Sequence, residues 1–471
     1  MARILVWNIA NFGINKINNP LTRPGAGVGG LTLQQASHVR RQLIGQVLLA
    51  TQPDIIMVIE VSSGDTTPNA LASMTGGMSG CIDLLNRLRA NVAFAAGQWR
   101  LVPPLRIGQG GKAESVGVFF RGVIGGGGSR YFTGPNIWTG GYAGNSVRPG
   151  NGVPAAYPVA ALGNPDISAM LVMPGGAARA IPAAAQHNGG LNEDRVAART
   201  QFRVINPNGT PDGVANYQAF REPYMVTFVE TNGAGVVQRN LTFFVVHSPA
   251  VTGNQQVFIT YLANTYEVVT PNGGNEARVV CGDFNLNLLD PAGNDAQEYQ
   301  QLTNNGYNVL LEPVGGPPVN LDPYRGYFAT HIKRRPQSAT AASKFLWSQN
   351  GFNLAYYPSY DYIGSRFVPN FYSIDNILVR PLRGGGHTYD TTIMNPVMGT
   401  PFNQVALPPG VPPIGTIPMA NGFTNPPLGG WPEAPTAAVY PGIGAANSRC
   451  SWANYTHIYS TSDHFALYAD I

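Results

Sequence analysis

The sequence predicts an α/β fold, a β-sheet core packed against helices, and three observations carry that reading. Apolar runs of strand length alternate along the chain with stretches of helical period. Hydrophobic residues make up 44% of the chain, ample for a large core. Several of the strand-like runs also stop at a carboxylate, an amide or an imidazole, as strands do where a sheet edge carries chemistry.

Residues 3–7 read as an opening strand that Asn8 terminates. Thr32 with Gln35 forms a capping box for a helix running to about Thr51, in which Ala36, Val39, Leu43 and Val47 recur at helical spacing. Behind Pro53, residues 54–59 form a continuous apolar run of buried-strand type with Glu60 at its end. A helix over 81–90 and strands at 99–102 and 116–120 follow. Past a Gly- and Pro-rich stretch, strands are expected at 225–230 and 241–246, a helix over 255–268, and a strand at 277–281 leading into Gly282-Asp283-Phe284-Asn285. A helix over 295–303 and a strand at 374–379 come next, and Ser462-Asp463-His464 stands just before a last strand at 465–468.

Composition narrows the classes. Only 11% of residues are charged, against a usual quarter, so amides, hydroxyls and backbone do most of the polar work. Basic residues outnumber acidic ones 29 to 25, a formal charge of +4, which is compatible with a polyanionic substrate without identifying one. Nearly all the cations are arginine, the lysines being Lys16, Lys112, Lys333 and Lys344. Cys81, Cys281 and Cys450 lack metal-ligand spacing; Cys281 reads as a small apolar residue in a strand, and a Cys81–Cys450 disulfide has nothing to support it. No apolar run reaches membrane-spanning length and no signal peptide precedes the first strand, so the expectation is a cytoplasmic protein or one exported without a leader. Oligomeric state is not legible.

The chemistry-bearing motifs come from both ends and the middle, which argues for one catalytic domain over 1–471. Three stretches interrupt it, at about 122–215, 315–352 and 382–451, and are read as insertions. Acid, amide and imidazole together are what metal-assisted attack of water on a phosphate ester requires. One such residue at a strand end more often marks where a strand leaves the core; four strands ending this way are harder to explain so.

On Trp7-Asn8-Ile9, Ile59-Glu60-Val61, Glu114 ahead of Val116–Arg121, Phe220-Arg221-Glu222-Pro223, His247, Gly282-Asp283-Phe284-Asn285, Asp375 and Ser462-Asp463-His464, the chain resembles the endonuclease/exonuclease/phosphatase superfamily, and within it the deoxyribonuclease I branch. The resemblance implies a four-layer α/β sandwich, two face-to-face mixed sheets flanked by helices, with the three insertions unmatched. It implies a Mg²⁺-dependent phosphodiesterase, Mn²⁺ or Ca²⁺ being alternatives, with nucleic acid, DNA above all, as substrate and partner. Glu60 and Asn8 resemble ligands of the principal cation and Asp463 a further one. Asp283 and Asn285 would position water and phosphate, or Asp283 a second ion. His464 with Asp375 and His247 with Glu114 resemble the two catalytic dyads, and Arg221 and Asn8 would face the phosphate. Glu222 is read as an ion-pair partner of Arg221, and His38, His187, His331, His387 and His457 as ordinary histidines.

The chain departs from the branch where DNA is gripped. Ala10 and Ser62 stand where its members carry arginine, and Lys112 stands in place of a tyrosine. Arg40, Arg41, Lys112 and the run from His331 to Arg335 are candidate replacements. A phospholipid, phosphoinositide or other small phosphoester is therefore the alternative substrate, although the segment before Asp375 lacks the signature of the inositol phosphatases. A catalytically dead binding module is the third reading, disfavoured because no site residue is lost.

Overall fold

In the computed structural model, strand β1 (Arg3–Phe12) lies at the middle of the first of two seven-stranded mixed sheets. The residues described are 2–25, 30–63, 76–95, 97, 99–102, 104, 106–108, 110–122, 128–133, 198–199, 202–217, 220–232, 237–250, 254–270, 276–286, 296–311, 330–332, 371–372, 374–380, 390–393 and 459–471.

The first sheet also holds β2 (Ile55–Val61), β3 (Trp99–Val102), β4 (Arg106–Ile107), β5 (Glu114–Arg121), β17 (Asp390–Ile393) and β18 (Leu467–Asp470). Its order is β17-β18-β1-β2-β5-β3, with β4 also on β5, and β1 and β2 run parallel. The second holds β6 (Arg130–Thr133), β7 (Ala198–Arg199), β10 (Tyr224–Thr231), β11 (Val237–His247), β12 (Glu276–Asp283), β13 (Asn308–Val309) and β16 (Asp375–Arg380). Its order is β13-β16-β12-β11-β10-β6, with β7 also on β10, and β11 and β12 run parallel. The sheets meet face to face through one continuous apolar core. Phe120 of β5 lies 5.0 Å, centroid to centroid, from Phe228 of β10, and Met57 of β2 touches Cys281 of β12.

Helices flank the sheets, as expected. The capped helix spans Leu33–Thr51, with both reciprocal bonds between Thr32 and Gln35 formed, and the next spans Gly77–Ala90. The helix expected over 255–268 is broken into Asn254–Ala263 and Tyr266–Val269. Thr265 stands at the break, where other parts of the chain compete for it. Its hydroxyl bonds Tyr217 at 2.6 Å, and its backbone bridges Val204 of the hairpin formed by β8 (Arg203–Ile205) and β9 (Pro211–Val214). The helix expected over 295–303 is reduced to Gln300–Thr303.

One further expectation needs correction. Asn8 does not end its strand: β1 runs on to Phe12, and its pairing with β2 slips between Asn8 and Phe12. Strands also lie in the stretches read as insertions, β6, β7, β8 and β9 within 122–215 and β17 within 382–451. Within 315–352, β14 (His331–Ile332) pairs with β15 (Phe371–Tyr372), which lies beyond that stretch, and bridges His464. Most of those stretches, and with them Cys450, His187, His387, His457, Lys333, Arg334 and Arg335, lie outside the described residues. Cys81 and Cys281 are buried free thiols. No described helix is long and apolar enough to cross a membrane.

Candidate active site

Strand direction brings the motifs to one rim. β1 and β2 run parallel and so do β11 and β12, so Asn8, Glu60, His247 and Asp283 all lie toward carboxyl ends. β5 and β16 run antiparallel to their neighbours, which returns their first residues, Glu114 and Asp375, to the same edge. Register does the rest in the second sheet, where His247, Asp283 and Asp375 sit directly across from one another.

Local irregularities aim the side chains. Glu60 adopts φ 60, between the positions where the β2–β5 pairing slips, and Asn285 adopts φ 51. Side chains other than glycine rarely occupy this region, and bulges that re-aim a side chain cluster at sites of chemistry. Gly282 supplies the last turn of β12: at φ +138 it places its Cα where an added Cβ would stand 2.1 Å from the Val246 carbonyl oxygen.

The result is a closely connected group. The Asn8 amide donates to Glu60 Oε1 and to Asp283 Oδ2, both at 3.1 Å, and lies 3.4 Å from His464 Nε2. Asp283 is 2% exposed, and its Oδ2 lies 3.4 Å from His247 Nε2 and 3.7 Å from His464 Nε2, so one carboxylate faces both imidazoles. Asp283 Oδ1 accepts from the Asn285 backbone N–H at 2.9 Å. Behind the imidazoles, Asp375 meets His464 Nδ1 at 2.8 Å and Glu114 meets His247 Nδ1 at 2.6 Å. Both expected dyads are therefore formed. Burial by itself would lower the His464 pKa, but the carboxylates of Asp375 and Asp283 outweigh it and push it up to about 10. His247 follows the same logic, burial being overcome by Glu114 and Asp283, and its pKa is raised.

Other expected residues lie at one remove. Arg221 pairs with Glu114 Oε2 at 3.1 Å and donates to the Lys112 carbonyl, so it sits behind His247. Glu222 does not pair with it and instead accepts from Gly108 N at 3.2 Å. The Asn285 amide nitrogen donates to the Ser248 carbonyl at 3.0 Å. Asp463 groups with His331 and His464. Of the candidate DNA-gripping cations, Arg41 is buried against the Ile17 carbonyl, Arg40 bonds Ser460, and Lys112 is exposed.

Lys16 donates to the carbonyl of Ala10, the residue that stands in place of an arginine. Burial, with Arg40 nearby, lowers its ammonium pKa from 10.5 to about 7. A folded-state value below the unfolded one means a charging penalty that is complete below about pH 7 and fades as pH approaches 10.5. Lys16→Met is expected to raise the melting temperature by a few degrees near neutrality. That gain should close toward pH 10; thermal scans showing the same gain at every pH would contradict this.

Three residues to which the sequence reading gave no role hold the site's parts together. The Ser462 hydroxyl donates to the Asn8 carbonyl at 2.6 Å and accepts from His464 N at 2.8 Å, locking the first strand to the last motif. The Thr330 hydroxyl accepts from Ile374 N and Asp375 N. His331, read as an ordinary histidine, lies with its ring centroid 4.5 Å from that of His464. All three depend on contacts between distant segments.

No family model and no curated protein matches this sequence. Among solved structures the chain is similar to an endonuclease/exonuclease/phosphatase family protein from Leptotrichia buccalis, at 11% identity over 100% of this chain and 99% of that one (TM-score 0.37). It is also similar to truncated TDP2 from Caenorhabditis elegans, at 9% identity over 99% and 96% (TM-score 0.36). A mannosyl-6-phosphatase from Bacteroides thetaiotaomicron is similar at 9% identity over 100% and 99% (TM-score 0.37). The two packed seven-stranded mixed sheets are the α/β architecture that the motifs led one to expect.

Proposed function

We propose that the protein is a divalent-metal-dependent phosphoesterase, and specifically a sequence-tolerant endonuclease hydrolysing DNA, with RNA as the second polymer. The observation that carries this is the pair of carboxylate–imidazole dyads facing one buried carboxylate, Asp283, beside the Asn8–Glu60 pair. The donors suit a hard cation. Glu60 and Asp283 offer carboxylate oxygens, and Asn8 Oδ1 is buried with no hydrogen-bond partner among the described residues. An amide oxygen in that state is a ready ligand, and oxygen-rich sets of one or two carboxylates with an amide favour Mg²⁺ or Mn²⁺. Glu60, Asn8 and Asp283 are the residues that would hold the ion, with Asp463 a more distant candidate.

A bound cation would neutralise phosphate charge and lower the pKa of a water. The protein groups supply orientation and proton handling. With Nδ1 held by a carboxylate, each histidine turns Nε2 toward the site, and the raised pKa keeps it a hydrogen-bond donor to a phosphate oxygen. Asp283, between the two imidazoles, is placed to take the proton from the attacking water, while an imidazolium Nε2–H gives one to the departing oxygen and is then reprotonated from Asp283. Asn8 gives its two N–H groups to Glu60 and Asp283 and so holds those carboxylates in place.

Ala10 and Ser62 remove two arginines from the rim, and this favours a second reading, a small or lipid phosphoester as substrate. Plasmid DNA, single-stranded DNA, RNA and phosphoinositide vesicles, each with Mg²⁺, Mn²⁺ and Ca²⁺, separate the two. Plasmid cleavage that is lost in Asp283→Ala supports the endonuclease. Headgroup release with every nucleic acid intact moves the assignment to the second reading. Equal activity in the variant, or none from the unaltered protein with any of the cations, overturns both.

A further inference from the structure

His331, Asp463 and His464 form a second cluster at the rim, different in donor chemistry from the oxygen-rich group around Glu60. One metal-binding nitrogen or oxygen from each lies within 4.8 Å of those of the other two. Asp463 Oδ2 is 3.4 Å from His331 Nε2, and Asp463 Oδ1 is 3.9 Å from His464 Nε2. Oδ1 is buried and accepts no hydrogen bond among the described residues. Backbone ties fix the partners: His331 bridges His464, Phe465 N donates to the Thr330 carbonyl at 2.6 Å, and the Thr330 hydroxyl holds the start of β16. Asp375 on Nδ1 leaves Nε2 as the His464 nitrogen that faces the cluster.

We propose that this triad is a binding site for an imidazole-preferring divalent ion, Zn²⁺ by its donor set, and that filling it takes His464 out of catalysis. Two imidazoles, one carboxylate and an open position form a donor set suited to zinc, whereas Mg²⁺ selects oxygens. Donor atoms sharing one tetrahedral zinc lie roughly 3.3 Å apart, from bond lengths near 2.0 to 2.1 Å. The His331–Asp463 pair already stands at that separation, and the His464 nitrogen lies within 4.8 Å of both partners' ligand atoms, so an ion would draw the three together. A nitrogen committed to a metal cannot also donate to a phosphate oxygen, so Zn²⁺ should act as an inhibitor while Mg²⁺ supports turnover. The binding claim is independent of the proposed function; the inhibition rests on it.

Titrating the full-length protein with Zn²⁺ in excess Mg²⁺ by calorimetry, with Co²⁺ absorption as a second readout of nitrogen ligation, tests the site. His331→Phe keeps a ring against His464 but removes the nitrogens, and is expected to weaken Zn²⁺ binding at least tenfold. Asp463→Asn should do the same, while Glu60→Gln should leave Zn²⁺ affinity within about twofold. Zn²⁺ inhibition, taken within each variant as the ratio of turnover with and without the ion, should need at least tenfold more Zn²⁺ in His331→Phe. Equal Zn²⁺ affinity in His331→Phe and the unaltered protein overturns the proposal, as does binding lost in Glu60→Gln but kept in His331→Phe. Histidine-dependent Zn²⁺ binding in a protein that hydrolyses no phosphoester upholds the site and sinks only the functional reading.

Discussion

His464→Ala is expected to lower metal-dependent phosphodiester hydrolysis by about a thousandfold, within the range for removal of a general acid–base group. His464 is buried, tied to Asp375 behind it, and 3.7 Å from Asp283 in front, and Asp375 would have no other imidazole to hold in that position. The loss should appear in kcat with little change in KM, because the imidazole acts on charge that grows in the transition state. Asp375→Asn should cost less, about ten- to a hundredfold, since it orients the ring without touching substrate. The double variant should fall near His464→Ala alone, because the dyad acts as a unit. Stability gives an independent readout. A folded-state pKa raised to about 10 from 6.5 stabilises the metal-free protein fully below the unfolded value, and that contribution is lost as pH rises through about 10. The stability advantage of the unaltered protein over His464→Ala should therefore shrink between neutrality and pH 10. An advantage that grows over that range would contradict the assigned environment.

Gly282→Ala is expected to be the most damaging substitution in the sheets. An added Cβ would meet the Val246 carbonyl oxygen at 2.1 Å and the Ile59 side chain at 3.1 Å, and φ +138 is itself strained for any residue with a Cβ. The nearest atom is backbone in the parallel partner strand, which cannot move without unzipping the β11–β12 ladder. Strain and overpacking together should cost about 3 kcal/mol or more. What does fold should have little activity, because displacing β11 from β12 separates His247 from Asp283, which the register sets opposite each other. Denaturant unfolding of Gly282→Ala beside Gly209→Ala controls for glycine replacement as such, since Gly209 also has positive φ but nothing within 4 Å of an added Cβ. Similar losses in the two would mean that the close approach is not what matters.

Much of this was legible in the sequence for a physical reason. Strand runs, the Thr32–Gln35 cap and the residues at strand ends are local patterns, and a local pattern suffices to say that Asp283 follows a buried strand. The two dyads came from resemblance in motifs, and the ladders place them as expected. What escaped was set by long-range geometry. The pairing slip that carries β1 past Asn8 depends on how Asn8 and Phe12 meet β2. The break at Thr265 depends on Tyr217 and a hairpin some fifty residues earlier in the chain. His331 lies in a stretch whose composition reads as insertion, and only its bridge to His464 reveals where it stands. Arg221 and Glu222 are neighbours in sequence but turn to different partners, Glu114 and Gly108.

The central claim is that Glu60, Asn8 and Asp283 hold a cation against which the two dyads work. Steady-state hydrolysis of an activated phosphodiester as Mg²⁺ is raised from zero, run in parallel for the unaltered protein and Glu60→Gln, tests it most directly. The account predicts turnover that requires Mg²⁺ and is abolished by chelator, with Glu60→Gln needing at least tenfold more Mg²⁺ and reaching a much lower rate. Turnover without added cation, or the same Mg²⁺ dependence in Glu60→Gln, would contradict it.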